Sequence, residues 1–198
     1  ALPPLRRLLE GAPSRPEVAA VVLSGAERSA PVTTGGGFRY VLTEDEALAS
    51  FERAKAFFQS YRDNAALVEI NRLLGSNASQ GVKDKARTLK GFVGAPDFRT
   101  VRDAPTMAEL GRDPLLYYGC SVIWRGMAAN VRPEGKALAF DFLVGYDRMK
   151  RLEGIIPARI TGAEVPVDRP LEILALIRSA EGPARLDAVA IHELMAER

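Results

Sequence analysis

At about Gly111–Pro114 the spacing of apolar residues changes, and nothing else in the chain constrains its fold as strongly. Before that point Leu48, Phe51, Ala54, Phe57 and Phe58, then Ala66, Leu67, Ile70, Leu73 and Leu74, recur at intervals that suit a helix. After it, alternation takes over, most cleanly where Leu138, Phe140, Phe142 and Val144 interleave with Ala137, Ala139 and Asp141. Side chains repeat every 3.6 residues on a helix and every two on a strand, so a helical half precedes a β half. The fold class is therefore α+β.

In the first half, Leu2, Leu5, Leu8 and Leu9 suggest a short helix over 2–10. Residues 17–27 fit a short helix or, through Val18, Val21 and Val22, a strand. Ser29 to Gly37 ends in a glycine triplet and is expected to be a flexible connection. It lacks the Gly-Lys-Ser/Thr ending of a phosphate loop. Thr43 with Glu46 forms a capping-box signature for a helix running to about Ser60. A second helix is expected over Asn64–Leu74, closed by Gly75, and a third over Ala78–Val93, capped by Asn77. Three amphipathic helices with short turns pack as antiparallel neighbours. A short connecting helix is expected at Thr106–Leu110.

The pair Ala47–Phe58 and Asn64–Leu74 resembles a tetratricopeptide-type helical hairpin. Ala54 occupies that family's small position and Phe57 its aromatic one, with Ala66, Ile70 and Leu73 on the second helix. Ser50 stands where that family has a large aromatic, and Arg53 where it has an aliphatic residue. The resemblance implies a platform for peptides or partner proteins.

The β half reads as five strands: Leu115–Asn130, Ala137–Gly145, Leu152–Ile160, Pro170–Arg178 and Arg185–His192. In the first, Leu116, Tyr118, Cys120, Val122 and Trp124 share a face, and Gly119 and Gly126 suggest a bulge or bend. Turns are expected at Arg132-Pro133-Glu134-Gly135, Tyr146–Arg151 and Glu181-Gly182-Pro183. Five regularly spaced strands with a long bent first strand are similar to a small antiparallel barrel of the OB type, with an SH3-like barrel or a small sandwich as the alternatives. Such barrels often carry a helix between the third and fourth strands. Here Thr161–Arg169 is too rich in Gly162, Pro166 and valine to hold one, so the helical half is expected to plug that end. Three segments follow: 1–42, an extension with short helices and the Gly-rich linker; 43–111, the tetratricopeptide-like helices; and 112–198, the barrel. Expected core residues are Trp124, Phe140, Phe142, Ile155, Ile173 and Ile177 in the barrel, with Phe51, Phe57, Ile70 and Leu89 among the helices.

No catalytic constellation emerges. His192 is the only histidine, and Ala196 stands where a zinc-protease helix would carry its second one. A barrel-edge histidine is the expected reading. Neither a Ser-x-x-Lys nor a Gly-x-Ser-x-Gly motif occurs. Cys120, the only cysteine, reads as a buried small hydrophobe. The acids lack the spacing of a calcium loop. No catalytic, metal or cofactor residue is assigned. The chain carries 27 basic and 25 acidic residues, and 12 of each follow Gly111, so bulk charge does not advertise nucleic acid. No apolar run approaches the roughly 20 residues that span a bilayer.

Aromatic and cationic residues could still share one face of the barrel: Tyr117, Arg125, Arg132, Tyr146, Arg148, Lys150, Arg151 and Arg159. The expected role is a non-enzymatic protein-interaction or assembly module whose partner is another protein. The alternatives are single-stranded nucleic-acid binding by the barrel, an unfavoured reading, and a structural oligomer subunit. A first residue of Ala rather than Met points to processing or trimming, with any leader or lipid anchor lying before it. A periplasmic or envelope-associated location of a bacterial protein is favoured over the cytoplasm.

Overall fold

In the computed structural model, residues 15–178 and 183–194 are described. The helix expected over 2–10 falls outside them, as do Glu181 and Gly182 of the last turn.

Two short helices open the described chain, α1 (Pro16–Ala20) and α2 (Gly25–Arg28), where helix and strand were both open. Ser24 and Glu27 close α2 with a reciprocal capping box. The longer helices follow: α3 (Glu44–Gln59), α4 (Asp63–Leu74) and α5 (Gln80–Lys90). Thr43 accepts from the Glu46 amide at 3.2 Å while Glu46 accepts from the Thr43 amide at 2.8 Å, so α3 starts where its capping box sets it. The start of α5 differs from expectation. Ser79 caps it, because the Asn77 side chain is committed elsewhere: it accepts from Leu42 N–H at 2.7 Å and donates to the Leu42 carbonyl at 3.1 Å. Thr33 N–H also reaches the Asn77 carbonyl, and the amides of Arg39 and Tyr40 reach that of Gly75. The glycine-rich stretch is thus pinned on both flanks rather than loosely tethered.

Ser50 and Arg53, the two departures from the tetratricopeptide pattern, form a matched set. Ser50 is fully buried and donates to the Glu69 carboxylate at 2.6 Å, and Arg53 donates to the same oxygen at 2.9 Å. A polar clamp between α3 and α4 replaces the aromatic contact. Below it, Phe51, Ala54, Phe58, Ile70, Leu73, Ala86 and Leu89 share one buried cluster. Phe58 fills the core, whereas Phe57 is half-buried with the Arg62 guanidinium 4.8 Å from its ring centroid.

After α6 (Met107–Arg112) come β1 (Ser121–Glu134), β2 (Ala137–Val144), β3 (Gly154–Thr161), β4 (Pro170–Arg178) and β5 (Arg185–Glu193). They close into a barrel in the order β1-β2-β3-β5-β4. The chain leaves β3, pairs β4 with the start of β1, and returns as β5 to fill the gap. Running antiparallel to β4, β5 must lie parallel to β3, so the barrel is mixed rather than purely antiparallel.

The first strand starts six residues later than its alternation suggests (Ser121, not Leu115). Pro114 and Gly119, the latter at φ +83°, bracket Leu115–Tyr118 into successive tight turns. The strand also runs further, through Pro133, leaving Gly135 (φ +62°) and Lys136 as the turn. Its bulge lies at Asn130, at φ +52°, where the register shifts between Ala129 and Arg132. Gly126 serves a different need. A Cβ there would lie 2.1 Å from the Leu143 carbonyl oxygen, so the two backbones meet at a spot only glycine fits.

Trp124, Phe140, Phe142, Ile173 and Ile177 all point into the barrel, as expected. Ile155 does not: it is 55% exposed, and Ile156 (2%) takes the inward place. Pro157 and Arg159 share the parity of Ile155 and face solvent, which decides between the two neighbours. Ile156→Ala is therefore expected to cost about 2–5 kcal/mol in urea unfolding, and Ile155→Ala under about 0.5 kcal/mol.

The helices close the end of the barrel opposite to the one anticipated. Leu67 and Leu110 are buried in the barrel's own cluster, with Val68, Val93 and Met107 packed against it. Their contacts fall where β1 and β3 begin: Met107 lies against Gly154, and Trp124 Nε1 donates to the Pro105 carbonyl at 3.0 Å. At the far end of β3, the Thr161–Arg169 connection inserts its own Val165 into the same cluster. That end needs no helix. A polar seam completes the junction. Asn64 is 5% exposed and pairs with both backbone groups of Ser121 at 2.8 Å. Asn71 donates to the carbonyls of Leu116 and Tyr118, and Asp103 accepts from Ala65 N–H at the start of α4.

Candidate binding face of the barrel

Alternation along three adjacent strands sets which side chains the barrel shows to solvent. On β2 the outward parity holds Ala137, Ala139, Asp141 and Leu143, of which Ala139 is buried and the others half-buried, and on β3 it holds Ile155, Pro157, Arg159 and Thr161, all exposed. The register places them in cross-strand rows: Met127–Leu143–Ile155, Ala129–Asp141–Pro157 and Arg132–Ala139–Arg159. The first row is wholly apolar, with Met127 buried, Leu143 half-buried and Ile155 exposed. Each aromatic residue on these strands (Trp124, Phe140 and Phe142) points inward, so among the described residues the outer face has no ring on which a base could stack.

Two of the three arginines on these strands are held by carboxylates. Arg159 Nε donates to Asp187 at 2.8 Å across the parallel β3–β5 seam, and Arg178 donates to the same carboxylate at 3.2 Å. Burial alone pushes Asp187 upward, but hydrogen bonds from Arg159 and Arg178 outweigh it and hold the carboxyl below its ordinary value. Arg125 pairs with Glu172 at 2.9 Å. Arg132, beyond the bulge, reaches back to the Asn130 carbonyl at 3.3 Å.

Asp187 is thus the negative centre that holds the barrel's closing seam. Its folded pKa lies below its unfolded one, so its contribution is present above the ordinary carboxylate range and is lost as pH falls through the folded value. Asp187→Asn is expected to cost on the order of 1 kcal/mol at neutral pH, solvent screening keeping it small. The gap in Tm between the two proteins should close as pH falls below the ordinary carboxylate range. A gap that persists unchanged to pH 2 would contradict this.

The eight surface residues read from the sequence fall in three places. Arg125, Arg132 and Arg159 lie on the outer strands. Tyr146, Arg148, Lys150 and Arg151 lie on the β2–β3 loop, with the tyrosine half-buried and the three cations exposed. Tyr117 sits apart, half-buried in the turns before β1 and lining a cleft of about 340 Å³ with Phe57, Arg62 and Glu109. Burial, and after it the Glu109 charge, raises its phenol's pKa. The apolar row through Leu143 and Ile155 was missed, although the parity of Pro157 and Arg159 already signals it.

Other chemically capable groups are occupied. Cys120 is buried, and its thiol is pushed up to about 12 by burial and then by Asp103, which keeps it protonated and inert. His192 lies on β5 opposite Glu172 with its ring stacked 4.0 Å from Phe98. Among the described residues no group of His, Cys, Asp and Glu is arranged to hold a metal ion.

Residues 99–192 match the family described as Spirochaete C-terminal OB fold. The barrel is an OB fold. Its match begins in the connector that lines the seam and ends on β5. Upstream of the OB barrel, residues 30–90 match a family described as a domain of unknown function, DUF8514. No curated protein matches the sequence. Among solved structures, the chain is similar to a replication protein A heterotrimer bound to single-stranded DNA, at 13% identity and a TM-score of 0.31. That match covers 40% of this chain and 60% of the other. It is also similar to a "putative aspartyl-tRNA synthetase" from Leishmania major Friedlin, at 19% identity and a TM-score of 0.32, covering 56% and 26% of the two chains. The chain thus spans less than two thirds of either structure. No described helix is long and apolar enough to cross a membrane.

Proposed function

We propose that this chain is a non-enzymatic binding module whose OB barrel holds a partner protein on the outer face of β1, β2 and β3. The observation that carries the reading is the exposed pair Ile155 and Pro157 beside half-buried Leu143, on a face without aromatic rings. A single strand of nucleic acid needs stacking platforms and cations available to phosphate. This face is poor in both: its rings are in the core, Arg125 and Arg159 are tied to Glu172 and Asp187, and Arg132 is left on the Asn130 carbonyl. Ile155, 55% exposed, is the kind of anchor a partner's pocket covers.

A second feature suits an extended partner. The register of β5 reaches only Ala158–Ile160 of β3, so among the described residues Gly154–Pro157 pair on one side only. That open edge borders Ile155 and can accept a strand from another chain. The helical hairpin, tetratricopeptide-like in its small and apolar positions, offers a second platform in the same reading. The spirochaete family match supports a bacterial setting.

The test is affinity capture from native lysate with the full chain and with the Leu143→Asp/Ile155→Asp variant. The reading expects a protein retained by the first bait and lost with the second, while both baits keep the same circular dichroism. Retention that is indifferent to the two aspartates, or a recovered partner that is nucleic acid, would defeat it.

A further inference from the structure

The loop between β2 and β3 combines two properties that a water-facing turn has no need to combine. From Arg148 to Glu153 six successive residues are exposed, Met149 at 63% and Leu152 at 47%. Between them stand Lys150 and Arg151, which enter no ion pair among the described residues. The acids of the loop lie at its base. Asp147 is half-buried, and the Glu153 Cγ sits 2.7 Å from where a Cβ on Gly145 would be, folded against the foot of the hairpin. Three cations and two long apolar side chains therefore share the apex.

Met149 adds a second observation. It adopts φ +54°, a conformation that disfavours side chains with a Cβ, and gains no burial there. Backbone strain of this kind clusters at active sites, ligand clamps and switch regions. Displayed here is a flexible thioether at the tip of a hairpin, flanked by Arg148 and Lys150.

We propose that this loop docks the protein on an anionic lipid surface, with Met149 and Leu152 entering the acyl boundary and Arg148, Lys150 and Arg151 meeting the headgroups. The shape favours lipid over a protein groove. A protein interface of this size would be flat or would receive the tip in a pocket, whereas a narrow apex with apolar tips and a cationic collar matches the layering of a bilayer surface. Each basic residue near an anionic surface strengthens binding roughly fivefold at low salt. The apex lies beyond the Leu143–Ile155 pair at the foot of the same hairpin, and substitutions at Met149 and Leu152 leave that pair intact.

The experiment is flotation of the full chain with vesicles of phosphatidylglycerol and phosphatidylcholine in equal parts, against phosphatidylcholine alone. Binding is expected to the anionic vesicles, falling with salt and at least tenfold weaker to the neutral ones. Met149→Ser/Leu152→Ser should weaken it roughly tenfold, and Lys150→Glu/Arg151→Glu should abolish it. These positions are exposed, so the variants should keep the parent's melting temperature. In Met149→Trp the new fluorophore should shift to the blue on mixing, while Trp124, 8% exposed, stays silent. No flotation with anionic vesicles, binding unchanged in the serine variant, or a Met149→Trp emission that never moves would each overturn the proposal. So would Met149→Ser/Leu152→Ser losing a captured protein while the parent ignores lipid.

Discussion

Asn64→Ala is expected to cost about 3–5 kcal/mol and to uncouple the helices from the barrel. The Asn64 side chain satisfies the amide and carbonyl of Ser121, each at 2.8 Å, and reaches the Asp103 carbonyl at 3.2 Å. Alanine leaves these groups in a site too enclosed for easy rescue by water, and each unsatisfied polar group costs about 1–3 kcal/mol. Two optical signals separate the parts. Far-ultraviolet circular dichroism follows mainly the helices, and Trp124, the only tryptophan, follows the barrel. In the parent protein the two should trace one urea transition, because the seam and the shared packing of Leu67 and Leu110 join both parts. In Asn64→Ala they should part, with the fluorescence midpoint falling further. A cost under about 1 kcal/mol with coincident transitions would show that the asparagine is dispensable.

Phe142→Ala should be as severe. The ring is fully buried at the centre of the barrel and touches the position where Gly126 lets β1 approach β2. Removing it deletes a large apolar surface and opens a cavity that three strands cannot close together, a loss of about 3–5 kcal/mol. A domain has only about 5–15 kcal/mol in hand, so the barrel should be marginal at 37 °C. Phe142→Leu, which keeps most of the volume, should recover more than half of that loss in the same urea titration. Equal damage from leucine would mean that the packing at this site is not what the ring supplies.

Much of this architecture is legible in the residues because local signals and packing agree. Thr43 and Glu46 set the start of α3, and the alternation through Phe140 and Phe142 sets the inward face of β2. Pro170–Arg178 becomes a strand with the ends its pattern gives. The misreadings have identifiable sources. Leu116, Tyr118 and Cys120 alternate as a strand does, yet Pro114 and Gly119 fold that stretch into turns whose carbonyls α4 receives through Asn71. Asn77 looks like a helix cap until Leu42, 35 positions earlier in the chain, competes for its amide. Such a partner is invisible to any local window. The expected core includes Ile155, although it shares the parity of Arg159, which faces solvent.

The candidate face was less legible than the fold. Sequence reasoning gathered aromatics and cations, since those residues announce binding, but Tyr117 and Tyr146 lie half-buried in the turns before β1 and in the β2–β3 loop, and the carboxylates of Glu172 and Asp187 claim two of the arginines. What is left outside is an apolar row that composition cannot reveal. It becomes plain when the register sets half-buried Leu143 beside exposed Ile155, with Met127 buried on the neighbouring strand.

Photocrosslinking from position 155 tests the central claim most directly, with benzoylphenylalanine in place of Ile155 in the full chain within its native cells. A discrete protein adduct is expected, absent when the probe sits instead at Thr161 on the same strand and lost when Leu143→Asp is added. An adduct made of nucleic acid, or a protein adduct formed equally from both positions, would contradict it.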